Sequence, residues 1–140
     1  MNYIIYDLEA TCWDGNPKEL VKETFEIGAV LLNEYGEELG TFEQFVKPII
    51  NPFLSPFCKN LTGITQEEVN RAKRFPQVIE VFKEWAEIYD EEYLLCSWGN
   101  FDRKLFIQDC KLHKLEYDWC DQHINIKRQY RELNLSLIHI

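Results

Sequence analysis

A chain of 140 residues, 46% hydrophobic and 14% aromatic, is long enough to bury a core of its own and reads as one globular domain, which excludes a disordered, repeat or low-complexity protein. Its formal charge of −9 excludes a broad nonspecific nucleic-acid surface, because phosphate contacts need Lys and Arg; a polyanionic partner would have to be met through metal ions, local basic residues or a separate protein. No apolar run approaches a membrane span, and the first strand opens next to Met1 without a basic leader or small-residue cleavage site, so a soluble, cytoplasmic protein with no membrane partner is expected.

The first element is the run Asn2-Tyr-Ile-Ile-Tyr-Asp-Leu-Glu-Ala-Thr-Cys-Trp13. Alternation along a strand puts Tyr3, Ile5, Asp7 and Glu9 on one side and Ile4, Tyr6 and Leu8 on the other. Both sides are apolar until the acids appear, so this strand is expected inside a sheet covered on both faces. Two partly desolvated carboxylates this close repel each other unless a proton or cation neutralises them, and a divalent metal such as magnesium takes carboxylate oxygens readily. The bland alternative is the solvated start of a turn, which Asp14-Gly15-Asn16-Pro17 does supply.

A second strand is predicted over about residues 23–33, with Phe25, Ile27, Ala29 and Leu31 alternating. Tyr35-Gly36 turns the chain into a third, antiparallel strand from Thr41 to Lys47. Ser55 as N-cap, Pro56 at the first helical position and Gly63 as stop then define a short helix, and Thr65-Gln-Glu-Glu68 opens another with a capping-box pattern. Phe75, Val78, Ile79, Phe82, Trp85, Ala86 and Tyr89 recur at helical spacing and form a core-facing stripe. A fourth strand, Tyr93–Trp98, completes a strand–helix–strand rhythm that calls for parallel members. Asn100 is a candidate cap for the helix beginning at Phe101, which puts Asp102 in its first turn. If this strand lies beside the first, Asp7, Glu9 and Asp102 converge at one sheet edge, where open α/β folds place ligands and where three acids suit a pair of divalent ions. A short fifth strand at Ile124–Ile126 precedes a helix over Lys127–Leu133. The five cysteines are odd in number and lack C-x-x-C spacing, so they are expected to be reduced thiols.

Asp7-Leu-Glu-Ala-Thr-Cys-Trp13 resembles the first motif, and Ser97-Trp-Gly-Asn-Phe-Asp-Arg-Lys104 the second, of the DEDDh 3′-to-5′ exonucleases. The nearest branch holds the enhanced-RNAi and histone-mRNA exonucleases and KapD-type proteins; Glu26-Ile-Gly-Ala-Val30, Phe57-Cys58 and Leu61-Thr-Gly-Ile-Thr65 resemble it in order and spacing, so that the likeness runs from about Ile4 to Leu137. The resemblance implies a ribonuclease-H-like mixed sheet of about five strands flanked by helices. It also implies Asp7, Glu9 and Asp102 as catalytic ligands of two magnesium or manganese ions. Glu9 and Ala10 would meet the terminal nucleotide of a single-stranded 3′ end, RNA ahead of DNA, with Leu61 and Thr62 lining the pocket for its base. The reaction would release 5′-nucleoside monophosphates.

That family finishes with a third motif, a His followed five residues later by an Asp, which supplies the general base and a fourth metal ligand. Here the sequence runs Asn134-Leu-Ser-Leu-Ile-His-Ile140 without it. The expectation is therefore an exonuclease domain over residues 1–137, incomplete at its C-terminal end and impaired in catalysis, with 138–140 a tail of other origin. His113 reads as a helix-end residue, His123 as structural and His139 as incidental. Two alternatives stay open: a nucleic-acid-binding module without turnover, and a haloacid-dehalogenase-type phosphatase, whose D-x-D-G-T pattern Asp7-Leu-Glu-Ala-Thr11 loosely mimics.

Overall fold

The computed structural model describes the backbone of residues 1–138 and the side chains of residues 1–133. Six strands form one sheet in the order β4-β3-β2-β1-β5-β6, with β1 (Asn2–Ala10), β2 (Thr24–Leu32), β3 (Glu38–Lys47), β4 (Lys73–Arg74), β5 (Tyr93–Ser97) and β6 (His123–Asn125). The β1–β2–β3 meander is antiparallel, whereas β5 joins β1 and β6 joins β5 in parallel. The sixth strand beyond the expected five is β4, two residues pairing with Val46 and Lys47, too short to carry an alternation readable from sequence. The helices are α1 (Pro56–Thr62), α2 (Gln66–Asn70), α3 (Phe75–Trp85), α4 (Phe101–Leu112) and α5 (Ile126–Ile138).

Most of these limits follow from local chemistry. The Asn33 carboxamide accepts from the N–H groups of Tyr35 and Glu37, and Gly36 takes φ 78°, so the β2–β3 turn closes as the sequence indicates. Ser55 caps α1 by accepting from Cys58 N, and Gly63 ends it in the left-handed conformation. Thr65 and Glu68 form the expected capping box of α2. Asn100 departs from expectation. It occupies the N-cap position of α4 in an αR conformation and makes no side-chain cap hydrogen bond. The first turn of that helix instead holds Asp102, whose carboxylate is used elsewhere.

The core lies on the face of β1 that carries Ile4, Tyr6 and Leu8. These pack with Ile27, Ala29 and Leu31 of β2 against Phe75, Val78, Ile79 and Phe82 of α3 and Leu105 and Phe106 of α4. Phe82 is the hub, its ring within 5.3 to 6.2 Å of Phe42, Trp85, Phe106 and Trp119. The opposite face corrects an expectation. Ile5 is 39% exposed and Tyr3, Val30 and Leu32 are only half-buried, so β1 is not covered equally on both sides among the described residues. Apolar alternation on both faces states what a strand tolerates, while coverage depends on where helices fall in three dimensions.

Two buried acids organise the chain around the end of β1. The Glu23 carboxylate accepts from the N–H groups of Ile49, Ile50 and Asn51, fastening the segment after β3, and Glu23 N donates to Thr11 Oγ1. Where the β1–β2 ladder shifts between Glu9 and Ala10, Thr24 N donates to Asp109 Oδ2 of α4 at 2.9 Å. A shifted ladder leaves backbone donors that must find other partners, and α4 supplies one.

Because Phe82 contacts four other aromatic rings in a fully buried position, Phe82→Ala is expected to lower the unfolding free energy by about 3 to 5 kcal/mol. Urea denaturation of both proteins measures this; a loss below about 1 kcal/mol would mean that the aromatic cluster repacks around the void.

Candidate functional site

β1 and β5 run in parallel, but their ladder reaches only to Ile5 and Cys96, and β5 ends at Ser97. The last residues of β1 therefore extend past their neighbour with backbone donors unmatched on that side. Asp102 fills the gap, its Oδ1 accepting from Leu8 N at 3.2 Å. The side chain is 6% exposed, so the carboxylate from α4 is docked onto the strand midway between the two acids of β1.

Asp7 and Glu9 flank Leu8 on the open face, Asp7 exposed and Glu9 half-buried. Burial, then repulsion from Asp7, raises the affinity of Glu9 for a proton. Burial is also the main cause for Asp102, reinforced by Asp7 and Glu9 and opposed by the Leu8 N–H, and it brings that carboxyl up to about 6. The structure thus brings the expected acids to one end of the sheet and couples them electrostatically. It does not close them around a common point: among the described residues, no three His, Cys, Asp or Glu side chains are grouped as a metal centre. The donor chemistry still fits a hard divalent ion, since all three are oxygen donors and a cation would relieve the repulsion that burdens them.

Glu26 was not singled out from the sequence as a site residue. It lies directly opposite Glu9 in the β1–β2 register, and burial followed by the charges of Glu43, Glu9 and Asp7 raises its carboxyl as well. The strand alternation could have shown that Glu26 faces away from Phe25 and Ile27, but the partner across the hairpin depends on register. Gly28 sits opposite Asp7 and Glu43 opposite Gly28, so an acidic strip crosses three strands.

Of the residues expected near a terminal nucleotide, Ala10 ends β1 and its carbonyl accepts from Cys58 Sγ at 3.9 Å, which links it to α1. Ser55 adds a second tie by donating to Cys12 O at 2.6 Å. Leu61 projects from α1 at 68% exposure, an apolar side chain held in water. The Thr62 hydroxyl is committed locally, donating to Cys58 O and accepting from Ile64 N, so it has no proton left to donate to a ligand. His113 stacks on Phe75, with ring centroids 5.4 Å apart. His123 is hydrogen bonded through Nε2 to Ser97 Oγ and lies edge-on to Tyr6; burial holds it below the usual imidazole range. Both are built into the fold, and His139 lies outside the described residues.

The exonuclease (RNase_T) family model matches residues 4–137. Among curated proteins, the human 3′-5′ exoribonuclease 1 is 42% identical over 133 residues, which is 90% of this chain and 38% of that protein. The chain thus spans well under half the length of that relative. Among solved structures, the nuclease domain of 3′hExo, a DEDDh family member bound to rAMP, superposes with a TM-score of 0.86 at 41% identity, covering 92% of this chain and 68% of that one. A 3′-exonuclease solved with the histone mRNA stem-loop that it recognises at the 3′ end gives a TM-score of 0.89 at 39% identity, covering 95% of this chain and 48% of that one. The mixed sheet with flanking helices is the ribonuclease-H-like arrangement expected from the sequence.

The raised Asp102 carboxyl carries a signed consequence for the metal-free protein. The folded state holds this proton more tightly than the unfolded state. Its contribution is therefore most favourable below about pH 4 and is lost as pH rises to about 6. Asp102→Asn keeps an oxygen for Leu8 N and removes the charge. It is expected to gain about 1 to 3 kcal/mol at neutral pH relative to the parent, with a flatter pH dependence of stability. Urea titrations in chelator across that range measure it, and an Asn variant no more stable than the parent would show that the buried charge is compensated.

Proposed function

This chain belongs to the exonuclease family, and on that footing we propose that it hydrolyses phosphodiester bonds from the 3′ end of single-stranded nucleic acid, releasing 5′-nucleoside monophosphates. RNA is placed ahead of DNA because the named relatives are exoribonucleases. The observation that carries the proposal is the docking of Asp102 on Leu8 N, which sets the acid of the second motif between those of the first. A phosphatase of the haloacid-dehalogenase type has no place beside this family membership.

Asp7, Glu9 and Asp102 would hold two magnesium or manganese ions, which when bound supply Lewis acidity to the phosphoryl oxygens and acidify a bound water. The chain's own contributions are positional. The Leu8 N–H fixes one Asp102 oxygen, and the other would serve the ions. Glu9 and the Ala10 backbone stand at the strand terminus where the last nucleotide would sit, and Leu61 offers an apolar surface to its base. Thr62 would take part through its backbone and methyl group, its hydroxyl being engaged within α1. The five thiols are free, four of them buried, and suit a reducing compartment such as the cytoplasm.

We further propose that these 140 residues alone turn over slowly. Among the described residues no His-then-Asp pair stands beside Asp7, Glu9 and Asp102: the pair with that spacing, His113 and Asp118, lies past the opposite end of α4 from Asp102, with His113 stacked on Phe75, and a positioned general base is worth on the order of 10² to 10⁴ in rate. The same lack supports the second reading, binding without turnover.

Digestion of 5′-labelled single-stranded RNA with manganese present separates the readings. A ladder shortening from the 3′ end is expected, reduced on the order of 100-fold or more in Asp7→Ala. Retention of the RNA by the parent protein, with no ladder from either protein, would instead establish the binding module.

A further inference from the structure

The β5–α4 connection and the first turns of α5 build a feature that the proposed reaction does not use. Trp98 and Tyr130 meet with ring centroids 5.9 Å apart and planes inclined at 49°, yet they are 59% and 56% exposed. Two rings in contact with each other and each more than half exposed leave aromatic surface open to a ligand. Their positions are set by the backbone. Asn125 Oδ1, at the end of β6, accepts from Gly99 N at 3.1 Å and from Arg128 N at 3.2 Å, so a single side chain joins the turn after Trp98 to the start of α5. Gly99 takes φ 87°, where an L side chain would be strained, and this lets the chain turn immediately after the indole.

The site also has direction and charge. Leu94 and Cys96 pair with Tyr3 and Ile5, so they share the side of the sheet that bears Asp7, and Trp98 follows immediately after the last residue of that strand. On α5, Lys127 and Arg131 flank Tyr130 in the chain and are exposed, while Arg128 is paired with Glu132 at 3.2 Å. In a chain of net charge −9, this is a local concentration of cations with an aromatic ring within it. Exposed rings beside a basic track are the two components of sequence-tolerant single-strand binding: bases stack on the rings and phosphates follow the cations.

Resting on the exonuclease reading above, we propose that Trp98 and Tyr130 form a stacking platform for a nucleobase upstream of the reacting 3′ end, with Lys127 and Arg131 meeting the phosphates of the same single strand. Every base has a π face, so the platform accepts any of them and feeds the strand toward Asp7 and Asp102. It adds affinity for a chain of nucleotides and none for a lone terminal nucleotide.

Fluorescence anisotropy of a labelled single-stranded oligoribonucleotide, with a labelled nucleoside 5′-monophosphate in parallel and calcium as the ion, tests this. Loss of one stacked base should weaken oligonucleotide binding by about fivefold or more in the Trp98→Ala, Tyr130→Ala double variant while leaving mononucleotide binding unchanged. Trp98→Phe with Tyr130→Phe should restore oligonucleotide binding. A variant changed only at Lys127→Ser and Arg131→Ser, which leaves the rings in place, should flatten the salt dependence of the same binding. Oligonucleotide affinity equal to the parent in the double alanine variant would overturn the platform and leave the exonuclease reading standing. So would equal losses for oligonucleotide and mononucleotide. A parent protein that binds neither ligand would overturn the exonuclease reading and the platform with it.

Discussion

The hydrogen bond from Leu8 N to Asp102 Oδ1 is the constraint on which the candidate site depends. It spans 94 positions in the chain and joins the central strand to the helix that follows its parallel neighbour. Ending β5 early leaves a backbone donor with no strand partner, and a buried donor left alone costs about 1 to 3 kcal/mol. A carboxylate answers that need and is itself partly paid for by the bond. What remains is a set of partly desolvated carboxylates, and burial first, then their mutual repulsion, raises the proton affinity of Asp102 and Glu9. The fold therefore stores an unfavourable charge arrangement at the place where a cationic ligand would stabilise it.

The surrounding polar framework explains why this arrangement survives. Glu23 gathers three backbone donors from the segment after β3, Asp109 takes the Thr24 N–H beside the ladder shift, and Ser55 bridges the start of α1 to Cys12. Each is an acid or hydroxyl answering donors or acceptors that regular pairing does not reach. Together they tie the end of β1, the start of β2, the start of α1 and the later turns of α4 into one corner. Phe82 and its neighbouring rings anchor the opposite side of the sheet, so that the corner is fixed from below by packing and from the edge by hydrogen bonds.

Charge is unevenly used across the molecule. The open face of β1, β2 and β3 carries Asp7, Glu9, Glu26 and Glu43, whereas α5 carries Lys127 and Arg131 on either side of Tyr130 in the chain. A phosphate chain is thus repelled from the bare carboxylates and attracted at the helix. An acidic protein can in this way handle a polyanion without a broadly basic surface, provided that cations neutralise the acidic end.

Much of this was legible in the residues themselves. Ser55-Pro56, Gly63, the Thr65–Glu68 box and the stripe of α3 are local signals, because capping and helical periodicity act within a few residues. The motif acids Asp7, Glu9 and Asp102 were likewise visible, since the end of a strand and the first turn of a helix are sequence positions. Register and coverage were not. Glu26 joins the acidic strip only through its pairing with Glu9, β4 exists only because Val46 and Lys47 lie alongside it, and the exposure of Ile5 reflects which face α3 and α4 happen to occupy. Asn100 looked like a cap and makes no capping bond. The amino-acid sequence by itself determined which elements form and which side chains carry chemistry, because those follow from neighbours along the chain. Only the tertiary structure decided which acids meet, which face stays open and where Trp98 finds Tyr130, because those contacts join residues far apart in the chain.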